Sequence, residues 1–218
     1  MLLKVAALLS PAVIHLNRET MKVFLILTPI FVFIGLWLLV YSRRRSRIVK
    51  AFGETNGFFY RFKDDGALEQ ALNRTFALAA PLGRDFSRIR DIVEDNSIRL
   101  FRVTEALDLS HYGMPQNTHF GRIAVYFETE KNWELFFLTK NAQEIKHILP
   151  TASNKMESDP IFAKIEQIIK ENPPPHMLSV TVMRGSFLAY LEPMMTGSEK
   201  ESDLNYLFEL ARMVKRTL

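Results

Sequence analysis

The chain has no cysteine among its 218 residues. Disulfides, thiolate metal sites and a cysteine nucleophile are therefore excluded. The redox compartment stays open, because a cysteine-free chain is indifferent to it. Glycine is scarce as well, and its nine residues include no G-x-G pair. Neither a dinucleotide fingerprint nor a kinase-type phosphate loop is present. The sequence also lacks G-K-[ST], H-E-x-x-H and G-x-S-x-G, so no common catalytic motif announces an activity. A basic surplus is missing where nucleic acid would need it. Residues 1–50 hold eight basic residues and one acid, whereas 51–218 hold 20 basic and 23 acidic ones. The net charge of +4 thus comes from one short region, and a nucleic-acid partner is not expected.

That region surrounds Val23–Tyr41, 19 residues (VFLILTPIFVFIGLWLLVY) without a charged side chain. As a helix it spans about 28 Å, the hydrocarbon thickness of a bilayer. Pro29 and Gly35 are tolerated in such spans, and Trp37 and Tyr41 suit its interfacial end. The run ends in Leu-Leu-Val-Tyr and meets Arg43, Arg44, Arg45 and Arg47. That is a stop-transfer pattern rather than a cleavage site. With Lys50 these arginines set the orientation by the positive-inside rule, with the C-terminal domain in the cytoplasm, and offer charge to anionic headgroups. Residues 1–16 are apolar but broken by Lys4, Pro11 and His15. They are too short to span and are expected to lie in the interface, to pack as a re-entrant piece or, since Met21 is a natural start, not to be expressed.

The expected organisation is a short N-terminal segment (1–22), a transmembrane helix (23–41), a basic juxtamembrane segment (42–56) and one soluble α+β domain (57–218). Phe58–Phe62 reads as a strand, and Leu68, Leu72 and Phe76 repeat at helical spacing. Phe86, Ile89, Ile92 and Val93 repeat likewise, which predicts a second helix capped by Asp85 or Ser87. Ile98–Leu109 predicts a long strand in which Leu100-Phe101 marks a bulge or burial on both faces. With Ile123–Phe127 and Trp133–Leu138 it would form a three-stranded meander. Asp159-Pro160 opens a helix, Met177–Met183 and Ser186–Leu191 form a hairpin about Arg184-Gly185, and Ser202 or Asp203 caps a last helix. The fold class is α+β, a mostly antiparallel sheet covered by helices on one side.

The polar loop Ser110–His119 is the best candidate site, with His111, Tyr112 and His119 as its chemically able residues. No carboxylate or cysteine completes a ligand set there, so neither a metal nor a cofactor is expected. Asp91, Glu94 and Asp95 would share a helical face, but Arg88 and Arg90 interleave with them and favour a salt-bridged surface. Asn73-Arg74-Thr75 matches a glycosylation sequon within a cytoplasmic helix and is discounted. The function expected is a membrane-tethered interaction module (adaptor, assembly factor or accessory subunit) in the inner (plasma) membrane, with the bilayer and a membrane or cytoplasmic protein as partners. The alternative is a membrane-tethered enzyme or ligand sensor built on loop 110–119. The missing motifs lean against an enzyme.

Overall fold

The computed structural model describes residues 18–76, 84–107, 118–130, 136–140, 145–147, 160–192 and 200–218. Chain contacts divide the protein into two units, Met1–Arg45 and Ser46–Leu218. Helix α1, Arg18–Thr55, is the only element described in the first unit. Leu25, Phe31, Phe33 and Val40 are among its many exposed apolar residues. One stretch of α1 is long and apolar enough to cross a membrane, as the uncharged run predicts.

The second unit is built on β1 (Phe59–Lys63), α2 (Ala67–Phe76), β2 (Arg84–Asp95), β3 (Ile98–Leu107), β4 (Thr118–Glu128), β5 (Phe136–Lys140) and β6 (Ile145–His147). After these come α3 (Pro160–Glu171), β7 (Met177–Met183), β8 (Ser186–Glu192) and α4 (Glu201–Thr217). One eight-stranded sheet runs in the order β1-β2-β3-β4-β8-β7-β5-β6. All of its described pairs are antiparallel. The α+β class holds.

Alternation along the strands divides the core in two. Ile98 and Leu100 of β3, Ile123, Val125 and Phe127 of β4, and Phe187 and Ala189 of β8 face one side. They meet Val49 and Phe52 of α1, Ile165 and Ile169 of α3, and Leu204, Leu207 and Phe208 of α4. Phe101 and Val103, Ala124 and Tyr126, and Leu188 and Tyr190 face the other side, together with Leu68, Leu72 and Phe76 of α2. Helices therefore cover both faces, not one. Leu100 and Phe101 belong to opposite faces, and β3 pairs with β4 without a shift from Arg99 to Leu107. Of the two readings of that dipeptide, double burial is correct.

Two expectations about the strands fail. The helix over residues 85–93 is strand β2. Its pairing with β3 shifts between Ser87 and Arg90 and again between Arg90 and Val93. At each shift three residues of β2 oppose two of β3, and Arg88 and Asp91 take positive φ of 54° and 53°. Two bulges stretch a period of two into a period of three. Phe86, Ile89 and Ile92 then reach the same face while mimicking a helix. The meander fails at its third strand. The β7–β8 hairpin enters between β4 and β5, with Phe127 stacked on Phe187 at 4.6 Å between centroids. The hairpin turns at Arg184-Gly185 as expected. The cap of α4 also moves, because Lys200 takes the cap position and donates its N–H to Asp203 Oδ2 at 3.0 Å.

Candidate functional site

The most developed polar cluster lies where the end of α1 meets the sheet. Gly53 makes this approach possible, since a Cβ there would stand 3.1 Å from Val93 Cγ2. Val49 and Phe52 beside it are buried, and Phe52 and Phe58 both pack on Phe208 of α4. Ser46, one turn earlier, donates its hydroxyl to Asp91 Oδ2 at 2.8 Å. Arg102 Nη1 donates to the same oxygen at 2.8 Å and to Ser46 Oγ at 3.1 Å. Tyr60 OH donates to Asp91 Oδ1 at 2.9 Å. Asp91 is fully buried, so its charge is tolerated only because three donors surround it. Burial, followed by the hydrogen bond to Asp91 and its charge, pushes the Tyr60 phenol well above its usual range. The cluster binds α1, β1, β2 and β3 at one point. It is a joint between these elements.

The acidic trio named from the sequence is dispersed by the strand geometry. Asp91 pairs with Arg102, Glu94 with Arg99 at 3.1 Å, and Asp95 with Arg212 at 2.9 Å. No group of three potential metal ligands occurs among the described residues. Asn73 is equally committed. Its side-chain amide donates to Phe86 O at 2.8 Å and accepts from Phe86 N–H at 2.7 Å, lacing α2 to β2.

On the opposite face Arg122 and Glu105 form a second buried ion pair, and the guanidinium lies 4.3 Å from the Tyr190 ring centre. Beyond it Ser179 Oγ on β7 is buried without a hydrogen-bond partner among the described residues. Of the polar loop, His111 and Tyr112 lie outside the described residues. His119 is on β4 opposite Ala106, and its side chain lies outside them too. Arg43, Arg44 and Arg47 are exposed, Arg45 is half-buried, and Lys50 pairs with Glu54 at 3.5 Å.

Sequence reasoning overlooked the edge of the sheet. Outside α1, Phe59 and Phe62 are the exposed large hydrophobic residues among those described, at 64% and 62%. Both are on β1, whose one neighbour among the described strands is β2. Beside β1 opens a cleft of about 430 Å³ lined by Phe59, Arg61, Leu68, Glu94 and Arg99, among others. Arg61 Nε is closed off from water without a partner among the described residues, and Arg61 Nη1 lies 3.7 Å from Asp65. The F-F-Y-R-F run was the available signal, because two aromatic residues of opposite parity on one short strand cannot both face one core.

No family model matches the chain, and no curated protein matches it. Among solved structures, the crystal structure of the mycobacterial trehalose monomycolate transport factor A, TtfA, is similar to it. The TM-score is 0.43 and the identity 8%, over 79% of this chain and 93% of that one.

Proposed function

We propose that this is a single-pass membrane protein whose α+β domain acts as an interaction module in the cytoplasm, an adaptor, assembly factor or accessory subunit at the plasma (inner) membrane. The observation that carries the reading is the exposure of Phe59 and Phe62 on a sheet edge. Exposed aromatic residues grouped on one element are the ordinary mark of a contact surface. The buried charges add support. Asp91, Arg102, Glu105 and Arg122 are consumed in pairs inside the domain, as in a scaffold. The apolar stretch of α1 supports the anchor. The exposed Arg43, Arg44 and Arg47 support cytoplasmic retention of the C-terminal domain and contact with anionic headgroups.

Affinity purification of the full chain from detergent extract, with mass spectrometry of the proteins that accompany it, tests the proposal. A stoichiometric protein partner is the expected result. A chain that purifies alone under mild detergent, at native expression, would count against the module.

A further inference from the structure

The charge pattern of β1 bears on what kind of partner its edge, unpaired among the described strands, would accept. Side chains alternate along a strand. Phe59, Arg61 and Lys63 therefore share the face of the cleft, while Phe62 stands on the other face beside the engaged Tyr60. On the cleft face the order is apolar, basic, basic. Lys63 has no ion pair among the described residues, and Arg61 keeps one buried nitrogen unsatisfied. A strand edge also presents unpaired backbone N–H and C=O groups to one side. Such an edge takes an extended peptide by adding it as a further strand, with side-chain pockets at alternate positions setting the choice.

We propose that β1 docks an extended acidic–apolar segment of a partner protein, which joins the sheet antiparallel as a ninth strand. Carboxylates of that segment stand opposite Lys63 and Arg61, and apolar side chains stand opposite Phe62 and Phe59. The last of these enters the cleft against Leu68. An acidic-apolar-acidic-polar-apolar order is thus the complement of Phe59–Lys63 read backwards. The cleft volume suits one or two side chains rather than a folded domain. This rests on the interaction reading above and adds to it a site and a partner chemistry.

The test uses the full chain in nanodiscs of neutral lipid and two fluorescent peptides. One carries the core Glu-Val-Glu-Thr-Val and the other Lys-Val-Lys-Thr-Val, with binding read by anisotropy. The acidic peptide binds and the basic one does not. Lys63→Glu and Arg61→Glu each reverse or abolish that preference, and Phe62→Ser weakens binding about tenfold, as loss of an aromatic anchor does. Lys63 and Phe62 are exposed, so these two variants keep the fold. Binding of neither peptide, equal binding of both, or a preference untouched by Lys63→Glu overturns the proposal. So does quenching of a fluorophore on Phe62→Cys by spin-labelled lipid, which would mean that bilayer covers the edge. If a partner found by affinity purification stays bound to Lys63→Glu and Phe62→Ser chains, the docking site falls while the interaction module stands.

Discussion

Arg102 and Asp91, eleven residues apart and on neighbouring strands, meet at 2.8 Å with the carboxylate fully buried. The pair lies at the second register shift of β2, between Arg90 and Val93, where Asp91 takes a φ of 53° and shares with Val93 the face on which α1 packs.

Removal of one partner is therefore costly. Arg102→Met leaves a buried carboxylate with only two hydroxyl donors, and the expected loss is about 3–5 kcal/mol. Asp91→Asn added to that background removes the orphaned charge and recovers part of the loss, and asparagine tolerates the left-handed backbone. Chemical unfolding of the purified chain in detergent measures both steps. Simple additivity of the two losses would mean that the residues do not interact.

The bulges themselves are open to test. Arg88 holds a φ of 54° and its side chain is exposed. Arg88→Gly relieves the strain of a left-handed arginine and is expected to stabilise the domain by about 0.5–1 kcal/mol. Arg88→Val, β-branched and least tolerant of that conformation, is expected to destabilise it. Equal unfolding midpoints for the two variants would contradict the backbone assigned to β2.

These positions also explain how much was legible beforehand. The apolar span, α2, α3, α4 and the β7–β8 hairpin follow from period and turn chemistry. Ile165 and Ile169 are buried where the stripe of α3 places them, and Lys170 bonds Glu166 at 2.8 Å. Strand β2 was illegible because bulges impose an apolar period of three, which hydrophobic spacing alone assigns to a helix. The neighbours of β5 were illegible because strand order depends on contacts between distant segments such as Phe127 and Phe187. At the candidate site, the partners of Asp91 come from 45, 31 and 11 residues away, and no local spacing records them.

Position 185 gives a sharper geometric prediction. Gly185 has a φ of 71°, and a Cβ there would lie 2.9 Å from the backbone oxygen of Thr129. That close approach goes with the hydrogen bond from Thr129 N–H to Gly185 O at 2.8 Å. Gly185→Ala meets both a backbone penalty and a clash, so a loss above about 1 kcal/mol is expected. A thermal transition unchanged by this substitution would show that the turn is built differently.

Alkaline pH should weaken the domain. Burial raises the phenols of Tyr206 and Tyr126, and burial with the Asp91 contact raises that of Tyr60. A folded pKa above the unfolded value near 10 favours the neutral phenol in the native state. This stability is complete below about pH 10 and is lost as pH rises, because the unfolded chain ionises first. Tyrosinate absorbance should show these three rings titrating only as the domain unfolds. Tyr206→Phe, which gives up the hydrogen bond to Asn172 O, should flatten the alkaline slope. Normal titration of all six tyrosines in the folded protein would refute the burial.

The central claim is that the aromatic edge of the domain meets another protein at the membrane, and site-specific photocrosslinking tests it most directly. A photoreactive phenylalanine analogue replaces Phe62 in the full chain expressed in its own host, with exposed Glu209 on α4 as the control position. The account predicts a discrete, irradiation-dependent adduct with a second polypeptide from position 62 and none from 209. An adduct only to lipid, or the same diffuse background from both positions, would contradict it.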